Sequence, residues 1–216
     1  MKHRLHSLPS ELFPSDELPD RLARALAAHR VVHIKELLES FEYFAKVRKR
    51  IRRETVVDLC AGHGLAGLIF ALCEPTVQRV ILIDERKPES FDRIFAAFTS
   101  IAPWVKDKVT YTTQSLHEPF TLPHFASLLS VHACGPLTDR CLEIARLSQA
   151  PIAAMPCCYG KAHQARIPSL ARIFGRETNI DISRSYLMAN EGYQVDWSSI
   201  AKEITPMNRI VIAWDR

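Results

Sequence analysis

Two groups of residues in this chain have the types and spacing to do chemistry. The first is Asp58-Leu-Cys-Ala-Gly-His-Gly64, followed by Asp84 twenty residues after Gly64. Glycines at 62 and 64 let a backbone turn sharply and approach a ligand with no Cβ in the way. An acid at 84, closing the run Val80-Ile-Leu-Ile83, can accept hydrogen bonds from both hydroxyls of a ribose. The unit therefore reads as half of a nucleoside-binding fold. Gly62, Gly64 and Gly67 also fit the spacing of a dinucleotide fingerprint, so NAD, FAD and S-adenosylmethionine (SAM) all compete. Asp58, four residues ahead of Gly62, favours SAM. A carboxylate there suits a cationic amino group and would repel a pyrophosphate. A ligand-free domain with a glycine turn is the bland alternative.

The second group is split between His132-Ala-Cys-Gly-Pro-Leu-Thr-Asp139 and Met155-Pro-Cys-Cys-Tyr-Gly160. A histidine titrates near neutrality, so His132 can take a proton from an attacking hydroxyl or amine. Asp139 can orient a base or act as one. The structural alternatives are a hydrogen-bonded His132, a capping Thr138, and Asp139 favourable in the first turn of a helix. Cys157 and Cys158 suggest a nucleophile, but no neighbour in sequence lowers a thiol pKa, and packing of two small side chains is favoured. Tyr159 suits stacking on a base or a place in the core.

These residues need elements to hold them. Thr55–Leu59, Val80–Ile83, Val109–Thr113, Leu128–His132 and Ile152–Met155 read as strands, and Arg209–Trp214 as a strongly β-forming run. Helical patterns fall between them at Leu65–Leu72, Ser90–Phe98, Thr138–Leu147 and about Gln164–Phe174. Ahead of them, Ile34, Leu37, Leu38, Phe41, Phe44 and Ile51 make one apolar stripe within a helical stretch over 20–53. Pro9, Pro14 and Pro19 mark an irregular leader over 1–20. The expected fold is α/β: a Rossmann-like, doubly wound, mostly parallel sheet with an N-terminal helical extension. Residues 1–53 form the leader and extension, and 54–216 the nucleotide-binding domain. Such sheets bind ligands at the carboxyl ends of their strands, where both groups fall.

Composition is globular: 216 residues, 47% hydrophobic and 24% charged, which excludes disorder as the main state. No apolar run reaches the length of a membrane helix, and the start lacks the apolar core of an export signal. A cytoplasmic protein with six reduced cysteines is expected. Paired metal-ligand spacings are missing, with only Cys158 and His163 coming near, so no metal is expected. The net charge of +4 lies wholly ahead of Asp58 and is densest in Lys46-Val-Arg-Lys-Arg-Ile-Arg-Arg53. Lys46, Lys49, Arg50 and Arg53 share one helix face, which is either solvated or set against phosphates.

Val57-Asp-Leu-Cys-Ala-Gly-His-Gly64 with Ile83-Asp84 resembles motifs I and II of the class I SAM-dependent methyltransferases, departing at Cys60, where most members have glycine. The HxCGxxTD and CCY elements resemble a subgroup that includes tRNA 2′-O-methyltransferases acting on the acceptor stem, and Thr205-Pro-Met-Asn208 looks like that group too. The resemblance covers about residues 30–216. It implies SAM as cofactor, held by Asp58, Ala61, Gly62, Gly64 and Asp84; position after the third strand alone puts Gln114 and Ser115 near its adenine. It further implies His132 and Asp139 as catalytic residues. Cys134, Cys157, Cys158, Tyr159 and Asn208 would wall the acceptor site. The activity implied is methyl transfer to an oxygen or nitrogen, on RNA reached through the basic face. Small-molecule or protein acceptors, or a silent SAM-binding subunit, are the alternatives.

Overall fold

The computed structural model describes residues 9–119, 121–159 and 167–215. Seven strands make one sheet: β1 (Thr55–Leu59), β2 (Arg79–Asp84), β3 (Val109–Thr113), β4 (Ser127–Val131), β5 (Ile152–Met155), β6 (Gln194–Ser199) and β7 (Arg209–Trp214). Their spatial order is β3-β2-β1-β4-β5-β7-β6. β1 to β5 run parallel, while β7 is antiparallel to both β5 and β6. The order reverses between β1 and β4, so a crevice opens beyond their carboxyl ends.

The central strands are short and buried on both faces. Alternation along β1 sends Val56 into one apolar layer and Val57 and Leu59 into the other. The first layer packs α2 (Leu18–His29), α3 (Ile34–Ile51), α4 (Leu65–Cys73), α5 (Phe91–Ile101) and the short α6 (Val105–Lys108). The second packs α7 (Leu137–Ser148) and α9 (Arg176–Asn190). The brief α1 (Pro9–Leu12) precedes α2, and α8 (Pro168–Phe174) precedes α9.

The expected α/β fold is the observed one, with informative differences. The helical stretch over 20–53 is two helices, broken where Arg30 turns left-handed (φ 54°) and His33 caps α3. His33 N–H donates to Glu36 Oε2 at 2.9 Å, closing a capping box. Neither helix is an appendage. Leu22, Leu26, Tyr43 and Val47 are fully buried, and the Tyr43 hydroxyl donates to Ala153 O of β5 at 2.6 Å. The leader's residues 1–8 and the start of the helix expected at 164 lie outside the described residues. α9 and β6 were not anticipated. α9 buries Asn179, Asp181 and Arg184 with only Ile180 and Met188 as apolar company, so the apolar stripe that marks helices was missing. No helix among the described residues is long and apolar enough to cross a membrane.

Candidate active site

β1 ends at Leu59, and the chain turns through Cys60, Ala61, Gly62 and His63 into α4. The turn is fastened by backbone: Ala61 N–H donates to Ile83 O at 3.0 Å and Gly64 N–H to Ala61 O at 2.7 Å. Gly64 is left-handed (φ 74°), and a Cβ there would meet Leu82 Cδ1 at 2.6 Å. At Gly67 a Cβ would sit 2.5 Å from Leu82 Cδ2, so α4 lies against the sheet only because that residue has no side chain. This close approach also brings Gly67 N–H within 3.0 Å of Asp58 Oδ2. Asp84 Oδ2 accepts from Gly62 N–H at 2.9 Å, and Tyr111 Oη donates to Gly62 O at 2.9 Å.

Beyond these strand ends lies a cleft of about 380 Å³, lined by Asp58, Ala61, Gly62, Asp84, His132 and Cys134, with Glu36, Glu39 and Ser40 of α3 closing one side. A larger groove of about 730 Å³ runs past Phe125, Ala126 and Ala150 at the opposite, amino edge of the sheet, away from these groups. Asp58 is almost wholly buried, and burial, reinforced by the charge of Asp84, pushes its carboxyl up to about 7 against the Gly67 hydrogen bond. Such a group welcomes a cation.

His132 directly follows β4 in a left-handed backbone (φ 59°), a conformation that costs an ordinary residue about 1–2 kcal/mol. Its N–H donates to Met155 O at 2.9 Å, which ties the ends of β4 and β5 together. The ring Nε2 lies 2.9 Å from Glu39 Oε1. Among the described residues neither ring nitrogen has a hydrogen-bond partner, and both are buried. Burial opposes the charge on Glu39. The adjacent His132, the charge of Lys35 and the Thr205 hydroxyl outweigh it and hold the carboxyl below its ordinary value. Sequence reasoning missed Glu39; its one signal is an acid two positions after Leu37, among the buried residues of an amphipathic helix.

The other expected residues divide. Cys134, Cys157 and Cys158 come together, with Sγ–Sγ separations of 3.4, 3.4 and 3.5 Å. Burial first, then the adjoining thiols, raise the Cys157 pKa, which argues against a ready nucleophile. Gln114 and Ser115 sit after β3 as expected but do not line the cleft. Gln114 Nε2 donates to Pro119 O at 3.2 Å, and Ser115 Oγ accepts from His117 N–H at 3.4 Å.

Asp139 is not brought to His132. It lies in the first turn of α7 as an ion pair with Arg184 of α9, at 2.8 Å to Nε and 3.3 Å to Nη2. Thr138 is buried and donates to Ala133 O at 2.6 Å. Tyr159 is not free to stack on a base. Its hydroxyl donates to the buried Asp181 at 2.5 Å, and the Arg184 and Arg209 guanidiniums each lie 5.6 Å from its ring centre. Asn208 is buried away from the cleft, where Nδ2 donates to Ile200 O at 2.6 Å.

A family model described as a methyltransferase domain matches residues 28–165. The chain belongs to that family. Among curated proteins, it is 29% identical over 158 residues to a glutathione S-transferase C-terminal domain-containing protein of Xenopus laevis, covering 71% of this chain and 23% of that protein. The counterpart from Bos taurus is 27% identical, covering 72% of this chain and 24% of that protein. The chain thus spans about a quarter of the length of these relatives. Among solved structures, it is similar to a candidate rRNA-methylase from Clostridium thermocellum, with TM-score 0.53 at 12% identity over 81% of this chain and 93% of that one. The methyltransferase domain of bacterial CtHen1-C gives the same TM-score and identity over 83% and 99%. At such identity the likeness concerns the fold.

The methyltransferase domain's cofactor is SAM, and the cleft residues fit it. The half-buried Asp84 stands where β2 ends beside the glycine turn, and nothing lies within 4 Å of where a Cβ on Gly62 would be, which leaves that face of the turn open to a ligand. Asp58, almost wholly buried, would offer its carboxylate to the cationic end.

Proposed function

We propose that the chain transfers the methyl group of SAM to an oxygen or nitrogen acceptor, with His132 taking the acceptor's proton and Glu39 positioning His132. The observation that carries this reading is the buried Glu39 carboxylate 2.9 Å from His132 Nε2, at the lip of the cleft that Asp58 and Asp84 line. SAM, when bound, supplies an electrophilic methyl on a cationic sulfur. Asp84 would hold the ribose hydroxyls and Asp58 the amino group. Such a transfer needs alignment and an outlet for one proton. An O–H or N–H acceptor gives that proton to the imidazole, and the Glu39 charge stabilises the imidazolium formed.

The acceptor class we assign is RNA, with tRNA first. It is supported by the HxCGxxTD and CCY elements, which resemble those of the acceptor-stem tRNA enzymes, and by the exposed Lys46 and Lys49 near the end of α3. Arg53 pairs with Asp215 at 2.6 Å, and the Arg50 guanidinium lies 4.7 Å from the Trp214 ring centre, so these two basic groups are partly engaged. A rise of about 1.5 Å per residue puts Arg50 roughly 17 Å along α3 from Glu39. A macromolecule can span that distance and a small acceptor cannot.

Labelled-methyl assays on total RNA test the assignment. The expected result is incorporation that ribonuclease removes and His132→Ala abolishes. Label that survives ribonuclease and yields to protease would mean a protein acceptor. SAM binding with no incorporation into any fraction would mean a silent partner subunit.

A further inference from the structure

We propose that Cys134, Cys157 and Cys158 form a zinc site on the wall of the cleft. The three thiols reach one point from two loops that the sheet places side by side. β4 and β5 pair in parallel with Val131 opposite Met155, so the second and third residues beyond each strand end are neighbours. Two backbone hydrogen bonds flank the cluster and fix the loops to each other: His132 N–H to Met155 O at 2.9 Å and Gly135 N–H to Cys158 O at 3.2 Å.

The sulfurs are nearly equidistant, with separations of 3.4, 3.4 and 3.5 Å, and together they form a triangle rather than a bonded pair and a bystander. Tetrahedral zinc bound about 2.3 Å from each sulfur needs them about 3.8 Å apart. The observed spacing is a few tenths of an ångström short of that, which small side-chain rotations supply. Packing alone does not account for the position, because Cys134 and Cys158 are exposed rather than part of the core. Among the described residues, three ligands converge, so one position of the ion is left for a donor from outside the cluster.

Binding exchanges protons for metal. Each thiol gives up its proton to solvent as its sulfur bonds to the ion, no electron moves, and the site carries one net negative charge with zinc bound. Softness of the ligands selects zinc over magnesium or calcium. Cys134 also lines the cleft, so the ion would sit beside the acceptor. The site stands independently of which acceptor is methylated.

The test is titration of the full reduced chain with cobalt(II) under argon, followed by zinc(II). The expected result is one equivalent of cobalt showing thiolate-to-cobalt charge transfer and the d–d bands of a tetrahedral ion, displaced by one equivalent of zinc. Cys158→Ser and Cys134→Ser should each weaken zinc by at least about tenfold, while Cys73→Ser, in α4, leaves the titration unchanged. Circular dichroism melts confirm that each variant is folded. Cys158→Ser changes an exposed position and keeps the test open if Cys134→Ser unfolds. Cobalt spectra without tetrahedral character, or unaltered in Cys158→Ser, overturn the proposal. So does a disulfide within the cluster that persists in reductant. SAM binding measured on the same samples reports separately on the methyltransferase reading.

Discussion

The two halves of the cleft are built differently. The cofactor half comes from one stretch of chain, Asp58 to Asp84, and is held by backbone N–H groups: Ala61 donates to the Ile83 carbonyl, Gly62 to the Asp84 carboxylate and Gly67 to the Asp58 carboxylate. The half we assign to the acceptor draws Glu39 from α3 and His132 and Cys134 from beyond β4, with Cys157 and Cys158 from beyond β5 packed against Cys134. Recognition of a nucleoside needs a turn of defined shape, which neighbouring residues can make alone. Proton transfer needs a base and a counter-charge at one point with neither neutralised by solvent, and that takes segments far apart along the chain.

The sharpest way to break this comparison is to remove the base without touching the turn. His132→Ala should lower kcat by about 10²–10⁴-fold while SAM affinity by calorimetry stays within a few-fold; unchanged turnover would remove His132 from the chemistry. Glu39→Gln should give a smaller loss and shift the acid limb of the pH–rate profile, because the imidazolium loses its counter-charge. Asp84→Ala attacks the other half. It removes charge-assisted hydrogen bonds worth about 1.5–3 kcal/mol each and should weaken SAM by roughly 100-fold, with NADH as the control ligand. Retained SAM affinity would shift the ribose contact elsewhere.

Asp58 sharpens the comparison through pH. Its carboxyl is raised from an ordinary 3.8 to about 7 in the fold, so the folded chain holds a proton there that the unfolded chain releases. The stability this contributes is fully present below about pH 4 and is lost as pH rises through 7. SAM, being cationic, prefers the ionised form, so its affinity should rise over the same upper range. Asp58→Asn should flatten both trends, in thermal melts and in calorimetry. The smallest effects are expected outside the cleft. Asp139→Ala and Tyr159→Phe should each cost about 1 kcal/mol of stability and leave kcat within about threefold. A large kcat loss in Asp139→Ala with normal stability would restore it to the acceptor half.

The strands and the glycine turn were legible because they depend on local pattern: β1, β3, β5 and β7 stand where alternation and β-branching put them. Asp58, Gly62 and Asp84 were legible for the same reason. Gln114 was expected near the adenine from its place after β3, but its amide turns to Pro119 O, a side-chain choice that position alone does not decide. Asp139 and Tyr159 were drawn to the acceptor site by their motifs. Arg184 and Arg209 hold them elsewhere, and those arginines belong to α9 and β7, whose contacts no spacing around residue 139 or 159 reveals. Glu39 had no motif at all.

The sequence by itself determined the doubly wound order of elements, the cofactor turn and the acid that closes it, because each is written in residues close enough to interact through their own backbone. The tertiary structure alone decided which base has a counter-charge and which acid is spent on an arginine. It also decided that a cysteine after β4 meets two after β5. Those pairings join residues 23 to 93 positions apart, and strand register and helix packing, rather than spacing along the chain, fix who meets whom.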